Sequence, residues 1–129
     1  MKPILRAATV AAVAFIVTSP AQADRRITGE EAQRALAGKS FKLHCIDGTY
    51  GRGFFNARGM VTVSYKRPAA REDAAELIDH AVVRPRGDEI CLAWKEFDGG
   101  GNSCYPVAMK SATHFRLGVD GRWCDINAQ

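Results

Sequence analysis

The feature of this 129-residue sequence that most constrains its fold is a succession of short segments in which apolar and polar residues alternate. The clearest are residues 41–45 and 60–66, and the first of them runs directly into Asp47-Gly48. A period of two is typical of a half-buried strand, and Asp-Gly is a strong hairpin signal because both residues tolerate positive φ. About eight such segments joined mostly by tight turns predict an all-β fold, either a closed barrel or a sandwich.

Of these two, we expect a small antiparallel up-and-down barrel, because closure makes the first and last strands neighbours and removes exposed edges. A short N-terminal helix should precede it over residues 29–37 and cover one end. Thr28 and Glu31 form a capping box that begins this helix, and Gly38 stands where a left-handed residue would end it. Residues 69–77 have helix-forming composition, and both a helix and a loop fit them.

Residues 1–23 have the three-part pattern of a secretory signal peptide, with a basic start, an apolar run and Ala21-Gln22-Ala23 as the cleavage site. The apolar run is shorter than the roughly 20 residues that span a bilayer, which disfavours a retained membrane anchor. We therefore expect residues 24–129 to form a single exported domain. With two of the 18 basic residues in the signal peptide and 14 acidic residues in the rest, the mature net charge is only +2, which argues against nucleic-acid partners.

All four cysteines lie in the exported part, and an even number in a small exported domain predicts disulfides. Zinc binding is the alternative, but it favours closely spaced cysteine pairs, which this sequence lacks. Among three possible connectivities, the barrel topology favours Cys45–Cys124, which joins the first and last predicted strands. Cys91 and Cys104 would then pair across one hairpin.

Residues 87–104 form that hairpin, around which the other predicted strands are arranged. Residues 90–94 are apolar throughout, which predicts a strand covered on both faces. Trp94 and Trp123 could either fill the barrel core or line a pocket, and the core is favoured because large aromatic residues usually bury. The glycines that follow the strand are typical of a mobile hairpin tip, although their N–H groups could instead hold an anion. The residues predicted to contact a partner are Asp98, Gly99, Gly100, Gly101 and Asn102.

No complete catalytic, metal or cofactor motif is recognisable in the sequence. His44, Asp47 and Asp125 could approach one another near the first and last strands, but each has an ordinary local explanation as a strand or turn residue. His80 and His114 are interpreted in the same way. We therefore expect a non-enzymatic protein without a cofactor or a bound metal.

Several short motifs are shared with a known group of proteins. Residues 27–31 (ITGEE), 36–41 (LAGKSF) and 87–92 (GDEICL) occur together with a signal peptide and a downstream Cys104. This combination resembles the small periplasmic domain-of-unknown-function proteins of Gram-negative bacteria, and the resemblance implies a lipocalin-like small barrel. A weaker likeness is to the periplasmic C-type lysozyme inhibitors. Leu43-His44-Cys45 stands where that family has Tyr-x-Cys, and its Ser-Gly-x-x-Tyr loop is absent.

The function expected from the sequence is therefore binding rather than catalysis. A periplasmic or secreted barrel of this size, with no catalytic motif, should bind a small ligand or a protein partner. The alternative is an inhibitor of a cell-wall hydrolase such as lysozyme, as the weaker resemblance implies.

Overall fold

The computed structural model describes residues 10–14 and 24–129 of the chain. The predicted signal peptide lies outside these residues except for 10–14, which are exposed and have no regular structure. Across the described ranges, no helix has both the length and the apolar character of a membrane span.

Nine strands, one α-helix and a single 3₁₀ turn (Phe97–Gly99) make up the regular structure of these residues. The elements in chain order are β1 (Arg25–Ile27), α1 (Gly29–Leu36), β2 (Ser40–Cys45), β3 (Tyr50–Phe55), β4 (Met60–Lys66), β5 (Leu77–Arg86), β6 (Glu89–Trp94), β7 (Gly101–Met109), β8 (His114–Val119) and β9 (Arg122–Ala128).

Strands β2 to β9 form a closed antiparallel barrel. Each strand pairs with the next along the chain, and β9 pairs with β2 to complete the circle. This confirms the predicted eight-stranded up-and-down barrel with a short N-terminal helix. Strand β1 was not predicted, since three residues are too few to show a period. It pairs with residues 107–109 of β7, beyond the point where β6 ends its own pairing with that strand.

Both disulfides have the connectivity that the topology predicted. Cys45 lies opposite Cys124 in the β2–β9 pair that closes the barrel, and its side chain belongs to the core. Cys91 lies opposite Cys104 in the β6–β7 hairpin. Two such bonds indicate that the chain folds in an oxidising environment.

The core is made by the inward-facing residues of the strands and by α1. Glycine in β3 permits close packing here, because a Cβ atom at Gly53 would overlap the ring of Phe41. In β6, Ile90, Leu92 and Trp94 point inward and belong to the core. Ala93 is exposed, so the expectation that this strand is covered on both faces is wrong.

Helix α1 closes one end of the barrel. Its start is the predicted capping box, in which the Thr28 hydroxyl accepts a hydrogen bond from the Glu31 N–H at 3.1 Å. Ala32 and Leu36 are completely buried. The Gly29 N–H donates to the carbonyl of Gly87 at 2.9 Å, which ties the helix to the β5–β6 turn. The helix ends at Leu36, one residue before the predicted end.

Two strands begin earlier than predicted. Residues 67–76 form turns and no helix, and β5 then begins at Leu77 rather than His80 and continues through Pro85. Pairing of β5 with β4 ends at Val82, so the edge of β5 that faces β4 is unpaired at Pro85. A residue without an N–H is tolerated at such an edge. Strand β7 begins at Gly101 rather than Tyr105, which includes the last glycine of the run in the ladder.

The two disulfides should differ in their contribution to stability. Replacing Cys45 and Cys124 by alanine opens a loop with a sequence separation of 79, whereas the Cys91–Cys104 loop has a separation of 13. The chain-entropy relation predicts losses of about 4 and about 3 kcal/mol in the free energy of unfolding, respectively. Urea unfolding of the two double variants measures the difference. A larger loss from the short loop would contradict the expectation.

Candidate functional site

A cavity of about 450 Å³ opens at the end of the barrel opposite α1. Because neighbouring strands run in opposite directions, the β2–β3, β4–β5, β6–β7 and β8–β9 connections meet at this end and surround it. We call this cavity the cup. Its lining includes the buried residues Tyr65, Phe97 and Leu117 and the disulfide Cys45–Cys124, and its mouth carries Asp47, Arg67, Glu96, Asp98 and Arg122.

The bottom of the cup is aromatic. The ring of Phe97 contacts Tyr65 and Trp94 edge-on, with ring centroids 4.9 Å apart in both pairs. Below lies a second cavity of only about 30 Å³, enclosed by aliphatic and aromatic side chains of the core. The barrel interior is therefore filled beneath the cup, and the space for a ligand lies at the open end.

The charges at the mouth have mixed signs. Arg67 and Arg122 stand among three carboxylates, so neither sign dominates. Asp47 forms an Asx-type turn, in which its carboxylate accepts the Thr49 N–H at 2.8 Å. Recognition of a ligand would therefore depend on the apolar bottom of the cup more than on net charge.

One hydrogen bond inside the cup connects its wall to its mouth. The Tyr105 hydroxyl donates to the Asp98 carboxylate at 2.6 Å, and Arg122 lies 3.5 Å from the same carboxylate. Burial raises the pKa of Tyr105, and the hydrogen bond to Asp98 raises it further. Tyr105 is therefore a protonated donor throughout the physiological range.

The residue that fixes the β6–β7 connection is Asp79, which is only 3% exposed. Its carboxylate accepts hydrogen bonds from the backbone N–H groups of Lys95 at 3.0 Å, Glu96 at 2.8 Å and Phe97 at 2.9 Å. A fourth bond comes from the N–H of His80 at 2.8 Å. Burial alone would raise the pKa of Asp79, but these four donors outweigh it and the net pKa lies below the ordinary value.

Asp79 takes the place of strand pairing at this point of the barrel. The β5–β6 ladder ends at the Val83–Leu92 pair, so residues 93–97 have no main-chain ladder partner in β5. The carboxylate satisfies the N–H groups that the missing ladder leaves unpaired. This role of Asp79 was not predicted, although an aspartate among the inward-facing Leu77, Ala81 and Val83 is a sequence signal for a buried, hydrogen-bonded carboxylate.

The predicted partner-contact residues are divided between the cup and β7. Asp98 and Gly99 line the cup, whereas Gly101 and Asn102 are the first residues of β7. Gly99, Gly100 and Gly101 have φ values of 81°, 75° and 79°, which are ordinary for glycine only. These conformations let Cys91 face Cys104 with Trp94 opposite Gly101. Contact with a partner stays a prediction.

The histidine and aspartate residues considered from the sequence do not form one cluster. His44 lies opposite Asp125 in the β2–β9 pair, but Asp47 is at the mouth of the cup. Asp125 is held by Arg116 through two hydrogen bonds of 2.7 and 3.1 Å, and His114 Nε2 lies 3.2 Å from its carboxylate. Burial opposes ionisation, yet the bonds from Arg116 and His114 lower the pKa of Asp125 overall. The group is an ion cluster on the outer surface.

Two further predictions concern side chains near these residues. Trp94 is in the core as predicted, with 6% exposure. Trp123 is not in the core and instead lines a pocket, which is the alternative expectation. It is half-buried at the mouth of the cup, and the Arg116 guanidinium lies 3.7 Å from the centre of its ring. On the outer face of the sheet, His80 Nδ1 lies 2.9 Å from the Thr62 hydroxyl.

Within residues 10–14 and 24–129, the group spaced closely enough to hold a metal is Glu89, Cys91 and Cys104. Its two sulfur atoms are joined in a disulfide and are therefore not thiolate ligands. Comparisons of the chain with protein-family models, curated proteins and solved structures found no match.

The hydrogen bonds to Asp79 predict a specific acid dependence of stability. Asp79→Asn should lower the free energy of unfolding by roughly 3 kcal/mol at neutral pH, because buried N–H donors lose their charged acceptor. The folded-state pKa of Asp79 lies below the unfolded value of about 3.9, so its contribution is complete above that value and is lost as the pH falls through the folded pKa.

Urea unfolding of the wild type and Asp79→Asn at several pH values measures this contribution. The difference between the two proteins should shrink as the pH falls below about 4. Asp47→Asn is the matched control, since its carboxylate accepts one backbone N–H in an exposed turn. A difference that is constant with pH would contradict the assignment.

Proposed function

We propose that this protein is an exported, non-enzymatic binding protein of the periplasm or the extracellular space, and that it binds a small, partly apolar ligand in the cup. The observation that carries the proposal is the cavity of about 450 Å³ over an aromatic bottom. Ligand sites in proteins have about 300–1,000 Å³, are mostly apolar, and often lie at the mouth of a β-barrel.

Three features support binding in the cup over a purely structural barrel. The two disulfides hold the surrounding strands, which favours a preformed site. The Tyr105 hydroxyl and the arginines at the mouth provide a few polar groups that could orient a ligand. The interior below is filled, so an apolar group entering from solvent would be seated against Tyr65 and Phe97.

Native mass spectrometry of the protein purified from a periplasmic extract tests this proposal. The wild type should retain a small molecule, and Ile46→Trp should lose it, because Ile46 lines the cup and is 48% exposed, so a larger side chain would fill the opening. Ile78→Trp is the matched control, since Ile78 is 66% exposed on β5 and does not line the cup. If Ile46→Trp retained the ligand as well as the wild type does, the ligand would lie outside the cup and the proposal would be refuted.

Inhibition of a cell-wall hydrolase is the second candidate. It is favoured by the loop of residues 95–100, whose first three N–H groups bind the Asp79 carboxylate and which presents Asp98 beside the mouth. A loop already ordered by Asp79 would lose little conformational entropy on binding an enzyme. In a lysozyme activity assay, micromolar wild-type protein should inhibit and Asp98→Lys should not. Absence of inhibition by the wild type would exclude this function for lysozyme.

A further inference from the structure

We propose that Phe97 is a displaceable plug between the cup and the barrel interior, and that Asp79 is the latch that holds it in place. When the latch releases, an apolar group of the ligand, about the size of a phenyl ring, takes the position of the Phe97 side chain. This inference rests on the proposed binding function, which it extends by naming the part of the ligand that enters and the residues that admit it.

Phe97 stands between the two cavities. It lines both the cup and the small cavity below, and its side chain is buried with 7% exposure. The other residues that line both cavities, Tyr105, Leu117 and Cys124, belong to strands of the barrel. Phe97 alone among these four belongs to a connection between strands. Its withdrawal would join the two spaces without breaking a strand ladder.

The connection that carries Phe97 is attached to β5 through a single side chain. The β5–β6 ladder ends at the Val83–Leu92 pair. Beyond it, the hydrogen bonds that the described residues make between β5 and this connection all end on the Asp79 carboxylate. One of these bonds is donated by the N–H of Phe97 itself. Losing one acceptor would therefore release residues 95–97 together, whereas a regular ladder would have to open bond by bond.

The residues after Phe97 allow the movement. Asp98 has a φ of 52°, in the left-handed region that aspartate and asparagine tolerate better than most residues with side chains, and is followed by three glycines with positive φ. The Tyr105–Asp98 bond and the ring contacts with Tyr65 and Trp94 hold the closed form. A ligand that replaced those ring contacts with its own would compensate for their loss.

The chemistry of the space behind Phe97 defines the group that enters. Its lining includes Leu43, Val63, Leu92 and Ile126, which offer no hydrogen bonds, and Trp94, whose buried indole N–H has no partner among the described residues. A charged or strongly polar group would lose its hydration there in exchange for that one donor. The entering part of the ligand is therefore an aromatic ring or a short hydrocarbon chain, and its polar part remains among the charges at the mouth.

Fluorescence titration with N-phenyl-1-naphthylamine, a neutral apolar probe, tests the plug. If a closed plug limits binding, apparent affinity is reduced by the small fraction of open protein, so Phe97→Ala should bind about tenfold more tightly than the wild type. Asp79→Asn should associate faster in stopped-flow mixing, because the latch is weakened while Phe97 remains. Asp125→Asn is the control: it removes a partly buried carboxylate on the outer surface and should leave both values unchanged.

Hydrogen exchange provides the second measurement. In the wild type, the amides of residues 95–97 should exchange together and faster than those of β2 and β3. Asp79→Asn should accelerate exchange at residues 95–97 and leave β2 and β3 unchanged. Near-UV circular dichroism checks that each variant is folded. If Phe97→Ala is not folded, Phe97→Leu takes its place in the measurements.

The outcomes separate the plug from the proposed function. If the wild type binds the probe and the Phe97 variants bind it equally or more weakly, Phe97 is a fixed wall and the plug is overturned. Binding in the cup would still stand. Binding of the probe by the Phe97 variants alone would support the plug. Absence of binding in every protein would count against both, and exchange at residues 95–97 as slow as in β2 would overturn the latch.

Discussion

Closure of the sheet between β2 and β9 is the constraint on which the other features of this molecule depend. Eight strands in a ring have a fixed circumference, and a ring of this size leaves room inside for side chains or one small ligand. The Cys45–Cys124 bond crosses the closing pair on its inner side, so it holds the ring shut and also forms part of the cup. Stability of the barrel and shape of the cavity therefore have a common origin.

The ring is not equally strong around its circumference. Most neighbouring strands pair along most of their length, but the β7–β8 ladder has three residue pairs, and β5 turns from β4 to β6 midway, so that the β5–β6 ladder has four. A buried carboxylate completes this seam, because main-chain donors there have no main-chain acceptors. The β5–β6 seam borders the cup, so an interrupted part of the barrel wall and the cavity of about 450 Å³ lie together at the open end.

Periodicity and topology were sufficient to predict the barrel and both disulfides. Alternation fixes which side chains face inward, and closure makes Cys45 and Cys124 neighbours whatever the details of packing. The cup and its latch depend on the local divergence of β5 from β6, which no sequence period encodes. The choice between core and pocket for Trp123 has a related cause: hydrophobicity favours its burial, but its position near the start of β9 leaves it at the mouth of the cup, where the Arg116 guanidinium stacks on its ring.

Asp79 illustrates how a buried charge can order a connection between two strands. An apolar residue at this position would avoid desolvation of a carboxylate but would leave the N–H groups of residues 95–97 without acceptors, and buried unpaired donors are strongly unfavourable. Ladder pairing would satisfy those donors, but it would also draw the β6–β7 connection against β5 and fix Phe97 permanently. A single carboxylate satisfies the same donors from one point. The position of the connection therefore depends on one side chain of β5 and not on a ladder of separate main-chain bonds.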